Sequence, residues 1–406
     1  MQNIILFFMA SLLVALCVEP LSRRIRLPFA AALVIVGFVG SEILVANGID
    51  TGLRWDSFQS LILYIFLPVL IFEAAFNLDL GLFQRNLTPI LVLAIPIMLL
   101  STGITAVLLY FSIAHPTGFP WIAALITGAL LSATDPAAVL AVFKEINAPK
   151  RLSVIINGES LFNDATAIVL FSLFIGIATS TSDGITLSQA ILSFLIIFLG
   201  GVLVGAVIGF LAVLLLRLVS EPSLRGVVTL IGAYGAFYIA DVLLHVSGVM
   251  AVLLAGIFLG HASRKICGAG ETGTFLHSLW AMISWVAGAL LFLLSGVTVQ
   301  LDMFTDRWLA ILLGIAAVLI ARALGVFTLF PLLNRMPGQE PLPGNCQKIM
   351  LWGGVRGAVT LALALSLPTE LDYWYTIQSI AYGVVLFALF VQAPTIAYMM
   401  RHLRIT

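Results

Sequence analysis

The chain has 406 residues, of which 61% are apolar and only 9% charged, against about 25% charged in an ordinary soluble domain. That composition excludes a water-soluble globule, and 19 Lys and Arg against 19 Asp and Glu leave neither a basic face for nucleic acid nor an acidic tail. A bilayer-spanning helix needs about 20 mainly apolar residues, so the chain holds about a dozen spans with little left over, as an all-α polytopic membrane protein.

In chain order, apolar runs of bilayer length predict helices near 3–21, 28–46, 57–76, 87–113, 119–142, 151–180, 187–218, 224–242, 248–262, 273–300, 303–332, 347–366 and 373–400. The first run has no basic leader and passes straight into Ser22-Arg23-Arg24-Ile25-Arg26, so it reads as a retained span rather than a cleaved signal peptide. Cys17, Cys267 and Cys346 stand far apart, outside any CxxC or His-rich setting, and read as small apolar fillers rather than disulfide or zinc ligands. The linking segments are short, which places the working parts inside the membrane.

Lys and Arg near the ends of spans collect on the cytoplasmic side. One set of alternate loops, with the C-terminus, holds Arg23, Arg24, Arg26, Arg85, Lys144, Lys150, Arg151, Arg217, Arg225, Arg264, Lys265, Arg335, Lys348, Arg401 and Arg404, whereas the other set holds Arg54 and Arg307. This asymmetry predicts an odd number of spans, the N-terminus outside and the C-terminus in the cytoplasm, in the plasma membrane of a bacterial or archaeal cell. Thirteen spans divide as a first inverted repeat over 1–186, a linker helix over 187–218 and a second inverted repeat over 219–406, the plan of many secondary transporters. At matching positions of the two halves, Thr134-Asp135-Pro136 and Gly353-Gly354-Val355-Arg356-Gly357 interrupt a span. Such paired interruptions point to a midplane binding site.

An ionisable side chain deep in a bilayer costs about 2.5 to 3.5 kcal/mol, so each calls for a function or a partner. Glu73, Asp135, Glu159, Asp164, Arg322 and Arg356 fall well inside spans, while Glu19, Glu42 and Asp241 lie nearer the ends and read as interfacial. Ser160, Asn163 and Asp164 sit at i, i+3 and i+4, on one helical face. The break at Pro136 frees backbone carbonyls and the Thr134 hydroxyl to face a cavity. A hard cation such as sodium takes an oxygen cage of this kind. Asp135 suits a half-helix N-terminus and Arg356 a half-helix C-terminus.

A carboxylate in a low-dielectric cavity is driven towards its protonated form by desolvation and back again by a nearby cation. Asp164 can therefore hold a proton or a metal ion, and mutually exclusive occupancy is what coupled exchange requires. Charge balance predicts a buried Glu159–Arg356 salt bridge joining the two interrupted regions. Glu73 reads either as an outer ligand of the site or as a helix-end carboxylate, and Arg322 as a structural or carboxylate-balancing group. His115, His245, His261, His277 and His402 fall in loops or at span ends and are assigned no catalytic role, although one could modulate the pH response.

Together, Ala133-Thr134-Asp135-Pro136, Gly158-Glu159-Ser160-Leu161-Phe162-Asn163-Asp164, Phe72-Glu73-Ala74-Ala75-Phe76 and Gly353-Gly354-Val355-Arg356-Gly357-Ala358-Val359 resemble the monovalent cation:proton antiporters of the NhaP branch, relatives of the animal sodium/hydrogen exchangers. The resemblance covers essentially the whole chain. It implies two crossed, unwound helices in a core domain, a dimerisation domain, a homodimer, an elevator-like movement of the core, and exchange of sodium or lithium, sometimes potassium, for protons without a cofactor. It further implies that Asp164 is the ion- and proton-binding aspartate with Asn163 before it, that Thr134, Asp135 and Ser160 line the ion site with Glu73 nearby, and that Glu159 and Arg356 form the family's buried ion pair. Asn163 in place of a second aspartate resembles the electroneutral branch.

A cation channel would need a continuous polar lining and a filter, whereas the polar groups here cluster at one depth. An intramembrane protease would need HExxH or a Ser/His arrangement, and neither occurs in the spans. Potassium/proton exchange is the remaining competitor, because ion preference depends on cage dimensions that a sequence does not give.

Overall fold

A computed structural model of the protein describes residues 2–25, 27–47, 61–113, 118–145, 150–179, 186–268, 270–335 and 344–403. The start of the third expected span, 57–60, and the basic residues Arg26, Arg54 and Arg404 lie outside the described residues. Every described element is a helix. In chain order they are α1 (Gln2–Ile25), α2 (Phe29–Ala46), α3 (Ile62–Phe76), the short α4 (Leu80–Arg85), α5 (Leu87–Ser112), α6 (Trp121–Ser132), α7 (Ala137–Glu145) and α8 (Lys150–Thr179). There follow α9 (Leu187–Leu218), α10 (Pro222–Leu243), α11 (Gly248–Cys267), α12 (Glu271–Thr298), α13 (Leu301–Asn334), α14 (Gly344–Trp352), α15 (Ala358–Leu365) and α16 (Trp374–His402).

Among the described residues nine helices are long and apolar enough to cross a membrane unaided. Large apolar side chains such as Leu203, 67% exposed, and Leu218, 79% exposed, cover the outside of α9. This is the inverse of a soluble surface and suits a lipid solvent. The chain is a multi-pass integral membrane protein.

The expected interruptions are present at both places. Helix α6 ends at Ser132 and α7 begins at Ala137, because Pro136 has no amide hydrogen to donate and drives the preceding Asp135 out of helical geometry. Helices α14 and α15 are separated by Gly353 to Gly357, three of them glycines, the residue type that loses most on entering a helix after proline. The two unwound segments meet directly, with the Asp135 amide donating to the Val355 carbonyl at 2.7 Å.

The helices pack as two bundles. In one, α2 lies along α12, α3 along α11, and α11 against α9 and α10. In the other, α5 packs on α6 and α13, α8 on α5 and α6, and α13 on α16. The first bundle depends on close backbone approach: a Cβ on Gly37 would meet the Leu293 carbonyl, and one on Gly296 would meet the Val34 carbonyl. These reciprocal contacts let α2 and α12 touch where a methyl would hold them apart. Gly296→Ala therefore lowers the stability of the bundle by about 1 to 3 kcal/mol, read as a drop in the melting midpoint of purified protein in detergent, and an unchanged midpoint would contradict the close crossing.

Candidate functional site

The unwound crossing carries four loose helix ends, and two side chains answer three of them. Helix α6 ends with free carbonyls, a partial negative charge in a medium that cannot solvate it. The buried Arg356 guanidinium donates through Nη1 to the Ser132 carbonyl at 2.7 Å and the Ala133 carbonyl at 2.6 Å. On the other side of the break, Asp135 Oδ1 accepts from the Ala137 amide, in the first turn of α7, at 2.9 Å. The same carboxylate lies against Gly357 and the Ala358 amide at the start of α15. One carboxylate thus faces the positive ends of both half-helices. Gly357 is glycine for a steric reason, since a Cβ there would run into the Asp135 carboxylate.

Across the break, α8 presents its polar face. Ser160 Oγ donates to the Thr134 carbonyl, and Asn163 Nδ2 donates to the Ser132 carbonyl at 2.9 Å and to Thr134 Oγ1 at 3.2 Å. Asn163 is therefore turned into the break, where it holds the unwound strand in place. Asp164, one position on, is half-buried, and its Oδ1 is covered yet has no hydrogen-bond donor. Asp135, Arg356 and Glu159 are the charged groups within electrostatic reach of it.

The ion pair expected between Glu159 and Arg356 is replaced by another. Glu159 Oε1 meets Arg322 Nη1 at 2.6 Å, with both side chains more than nine-tenths buried. Arg322 also donates from Nε to the Met350 carbonyl at 3.1 Å, so it ties α13 to both α8 and the end of α14. The physical reason lies in the crossing itself. The α6 carbonyls already stabilise the Arg356 cation, which leaves Glu159 to Arg322 on α13. Arg322 is thus a carboxylate-balancing group, as its position in a span suggested.

A cavity of about 490 Å³ opens between the two bundles. The expected site residues Glu73, Thr134, Asp135, Ser160 and Asp164 line it, and Asn163 does not. The walls come from α3 and α12 on one side, and from α8, the α6–α7 break and the start of α15 on the other. Asp164 lies in the lining, and along α3 the lining reaches Asn77, which is exposed. Asn157 and Thr360 also line the cavity, and the sequence reading passed over both. Asn157 had a readable signal, because Asn157, Ser160 and Asp164 fall at i, i+3 and i+7 on the same stripe of α8.

Chemically the cavity offers carboxylate, hydroxyl and carbonyl oxygens, which suit a hard monovalent cation. Among the described residues no group of three or more His, Cys, Asp and Glu side chains is arranged to hold a resident metal.

The chain is similar to known proteins along most of its length. The sequence profile described as sodium/hydrogen exchanger, transmembrane, matches residues 9–402. The low-affinity Na(+)/H(+) antiporter NhaS1 of Synechocystis is 35% identical over 403 residues, covering 98% of this chain and 74% of the relative. The Na(+)/H(+) antiporter NhaP of Pseudomonas aeruginosa is 35% identical over 361 residues, 86% of this chain and 83% of the relative. The solved structure of the sodium proton antiporter MjNhaP1 from Methanocaldococcus jannaschii superimposes with a TM-score of 0.84 at 20% identity, covering 98% of both chains.

Arg322→Ala strands the buried Glu159 charge and lowers stability by about 3 to 5 kcal/mol. The double variant Glu159→Leu with Arg322→Met removes both charges and recovers most of that loss. Melting midpoints in detergent test both statements, and an Arg322→Ala protein as stable as the parent would contradict the pairing.

Proposed function

Because the chain belongs to the sodium/hydrogen exchanger family, we propose that it exchanges sodium or lithium for protons, one for one, through competition for Asp164. One observation carries the reading: among the described carboxylates at the crossing, Asp164 alone keeps a covered oxygen with neither a hydrogen-bond donor nor an ion-pair partner, since the covered Oε1 of Glu159 meets Arg322. Asp135 faces two helix ends, Glu159 is paired with Arg322, and Glu73 accepts from Asn77. A single carboxylate with an oxygen left open supplies a single proton per cycle. The cation is held by Asp164 together with the oxygens of Thr134 and Ser160, which keep lone pairs free after their own hydrogen bonds.

The position of the cavity supports alternating access. It lies at the seam between a bundle that carries Asp164 and a bundle that carries Glu73, so sliding one bundle past the other exposes Asp164 first to one side and then to the other. The bundle of α5 to α8 and α13 to α16 is the moving core. The bundle of α1 to α3 and α9 to α12 is the scaffold through which two copies associate as a homodimer. In sequence, core and scaffold each draw on an inverted repeat over 1–186 and another over 219–406, joined by the linker over 187–218, with α9 as the linker helix. The distribution of Lys and Arg places the N-terminus outside and the C-terminus in the cytoplasm, and the cavity end at Asn77 then faces the cytoplasm.

Two variants separate proton exchange from cation affinity in proteoliposomes that carry an imposed pH gradient. Asp164→Asn abolishes cation-dependent proton movement while the protein stays folded. Thr134→Ala raises the sodium concentration at half-maximal rate on the order of tenfold and leaves the maximal rate nearly unchanged. With the membrane potential clamped at zero or at a negative value, one-for-one exchange runs at the same rate. Acceleration by the clamp would refute the stoichiometry, response to potassium in preference to sodium and lithium would refute the proposed substrate, and full exchange by Asp164→Asn would refute the site.

A further inference from the structure

The cavity is built from two bundles, yet only one carries Asp164, and the other presents Glu73 on α3. A side chain one turn from a helix end is free to change rotamer unless something holds it. Here a chain of two hydrogen bonds reaches it from α12. His277 Nδ1 lies 2.7 Å from Asn77 Oδ1, and Asn77 Nδ2 donates to Glu73 Oε1 at 2.6 Å.

The direction of the chain follows from its far end. A carboxylate can only accept, so the amide of Asn77 turns its NH₂ to Glu73 and its oxygen to His277. An oxygen acceptor then requires hydrogen on Nδ1 of His277, and Nε2 is left for solvent or a further partner. The histidine ring is fixed in turn by an edge-on contact with Phe76, the ring centroids 5.4 Å apart at 64°.

The main chain at the same place is held as well. The Asn77 amide donates to the Glu73 carbonyl at 3.1 Å, closing the last turn of α3. From α11, Arg264 donates through Nη1 to the Phe76 carbonyl at 2.9 Å and through Nη2 to the Leu78 carbonyl at 2.5 Å. The backbone carrying Asn77 is held, so the side-chain relay acts on the Glu73 carboxylate from a fixed point. Both Glu73 and Asn77 line the cavity.

We propose that His277 and Asn77 are positioning residues of the cation site, which fix the Glu73 carboxylate in the cavity wall of the scaffold bundle so that an entering cation meets a preset oxygen. This rests on the reading of the cavity as the exchange site. His277 touches neither Asp164 nor the unwound crossing, so its effect falls on cation capture rather than on the turnover of the loaded carrier. The sequence reading set His277 aside as a residue at a span end, and its partner lies 200 positions away in the chain.

The test is the split between half-saturating sodium concentration and maximal rate in proteoliposomes. One hydrogen bond is worth on the order of a fivefold change in an equilibrium. His277→Leu accordingly raises the half-saturating sodium concentration about fivefold, with the maximal rate within about twofold and the melting midpoint retained. His277→Asn, whose Nδ2–H occupies the place of the histidine Nδ1–H, restores the parental value. In a Glu73→Gln background His277→Leu has no further effect, because the relay then has no carboxylate to hold.

An unchanged sodium response in His277→Leu would overturn the proposal, as would a loss of the same size in both backgrounds. A Glu73→Gln protein with parental sodium response would overturn it too, while leaving Asp164 as the exchange site. Failure of the exchange site itself has a separate signature, namely cation-dependent proton movement that survives Asp164→Asn.

Discussion

Everything in the core hangs on a problem of backbone electrostatics. Two helices are cut in the middle of a low-dielectric slab, and each cut leaves amide or carbonyl groups with no intrahelical partner. Where no water competes, an unsatisfied backbone group costs several kcal/mol. The solution is local and uses few residues. Arg356 covers the open carbonyls of α6, Asp135 faces the amide ends of α7 and α15, and the Asp135–Val355 backbone bond joins the two strands. Asn163 and Ser160 add donors from α8. Only when these demands are met can a neighbouring carboxylate keep one oxygen without a donor, and that carboxylate is Asp164.

The same constraint explains why the buried ion pair formed where it did. Counting charges alone, Glu159 pairs equally well with Arg322 or Arg356. Counting helix ends as well, Arg356 is already engaged, and the pairing with Arg322 at 2.6 Å follows. Breaking a buried pair is costly, whereas the intact pair contributes little net stability. Its service is positional, since it holds α8 against α13 and so sets the depth and rotation of the helix on which Ser160 and Asp164 ride.

Much of this was legible in the sequence because membranes limit the options. Apolar runs mark the helices, and the two interruptions announce themselves through Pro136 and through Gly353, Gly354 and Gly357. Charges that are expensive in lipid point to the site, and the paired functions of Asp135 and Arg356 followed from helix dipoles. What stayed hidden depends on rotation and on distant contacts. A one-dimensional pattern places Ser160, Asn163 and Asp164 on one face, but only the packing of α8 decides that Asn163 turns into the break while its neighbour turns to the cavity. Asn157 shares that stripe and was missed because an uncharged amide carries no penalty large enough to draw notice. The choice of Arg322 over Arg356 and the contact of His277 with Asn77 join segments far apart in sequence, which no local periodicity encodes.

Charge accounting over the bundle proposed to move ties these parts to the proposed exchange. At the crossing it carries two arginines, Arg322 and Arg356, and three carboxylates, Asp135, Glu159 and Asp164. With Asp164 ionised the cluster holds one uncompensated negative charge, which is costly to carry through the low-dielectric seam between the bundles. One proton neutralises it, and so does one monovalent cation. Both loaded forms are therefore equally neutral, and the empty form is the one that is held back. On the proposed reading this difference enforces coupling without a separate gate, because the barrier to moving the core is highest when Asp164 carries nothing. It also assigns Glu73 a place outside the account. On the same proposed reading, Glu73 is held on the scaffold side by Asn77 and His277 and stays behind when the core moves, so it can help to collect a cation at the cavity wall without travelling as part of the transported charge.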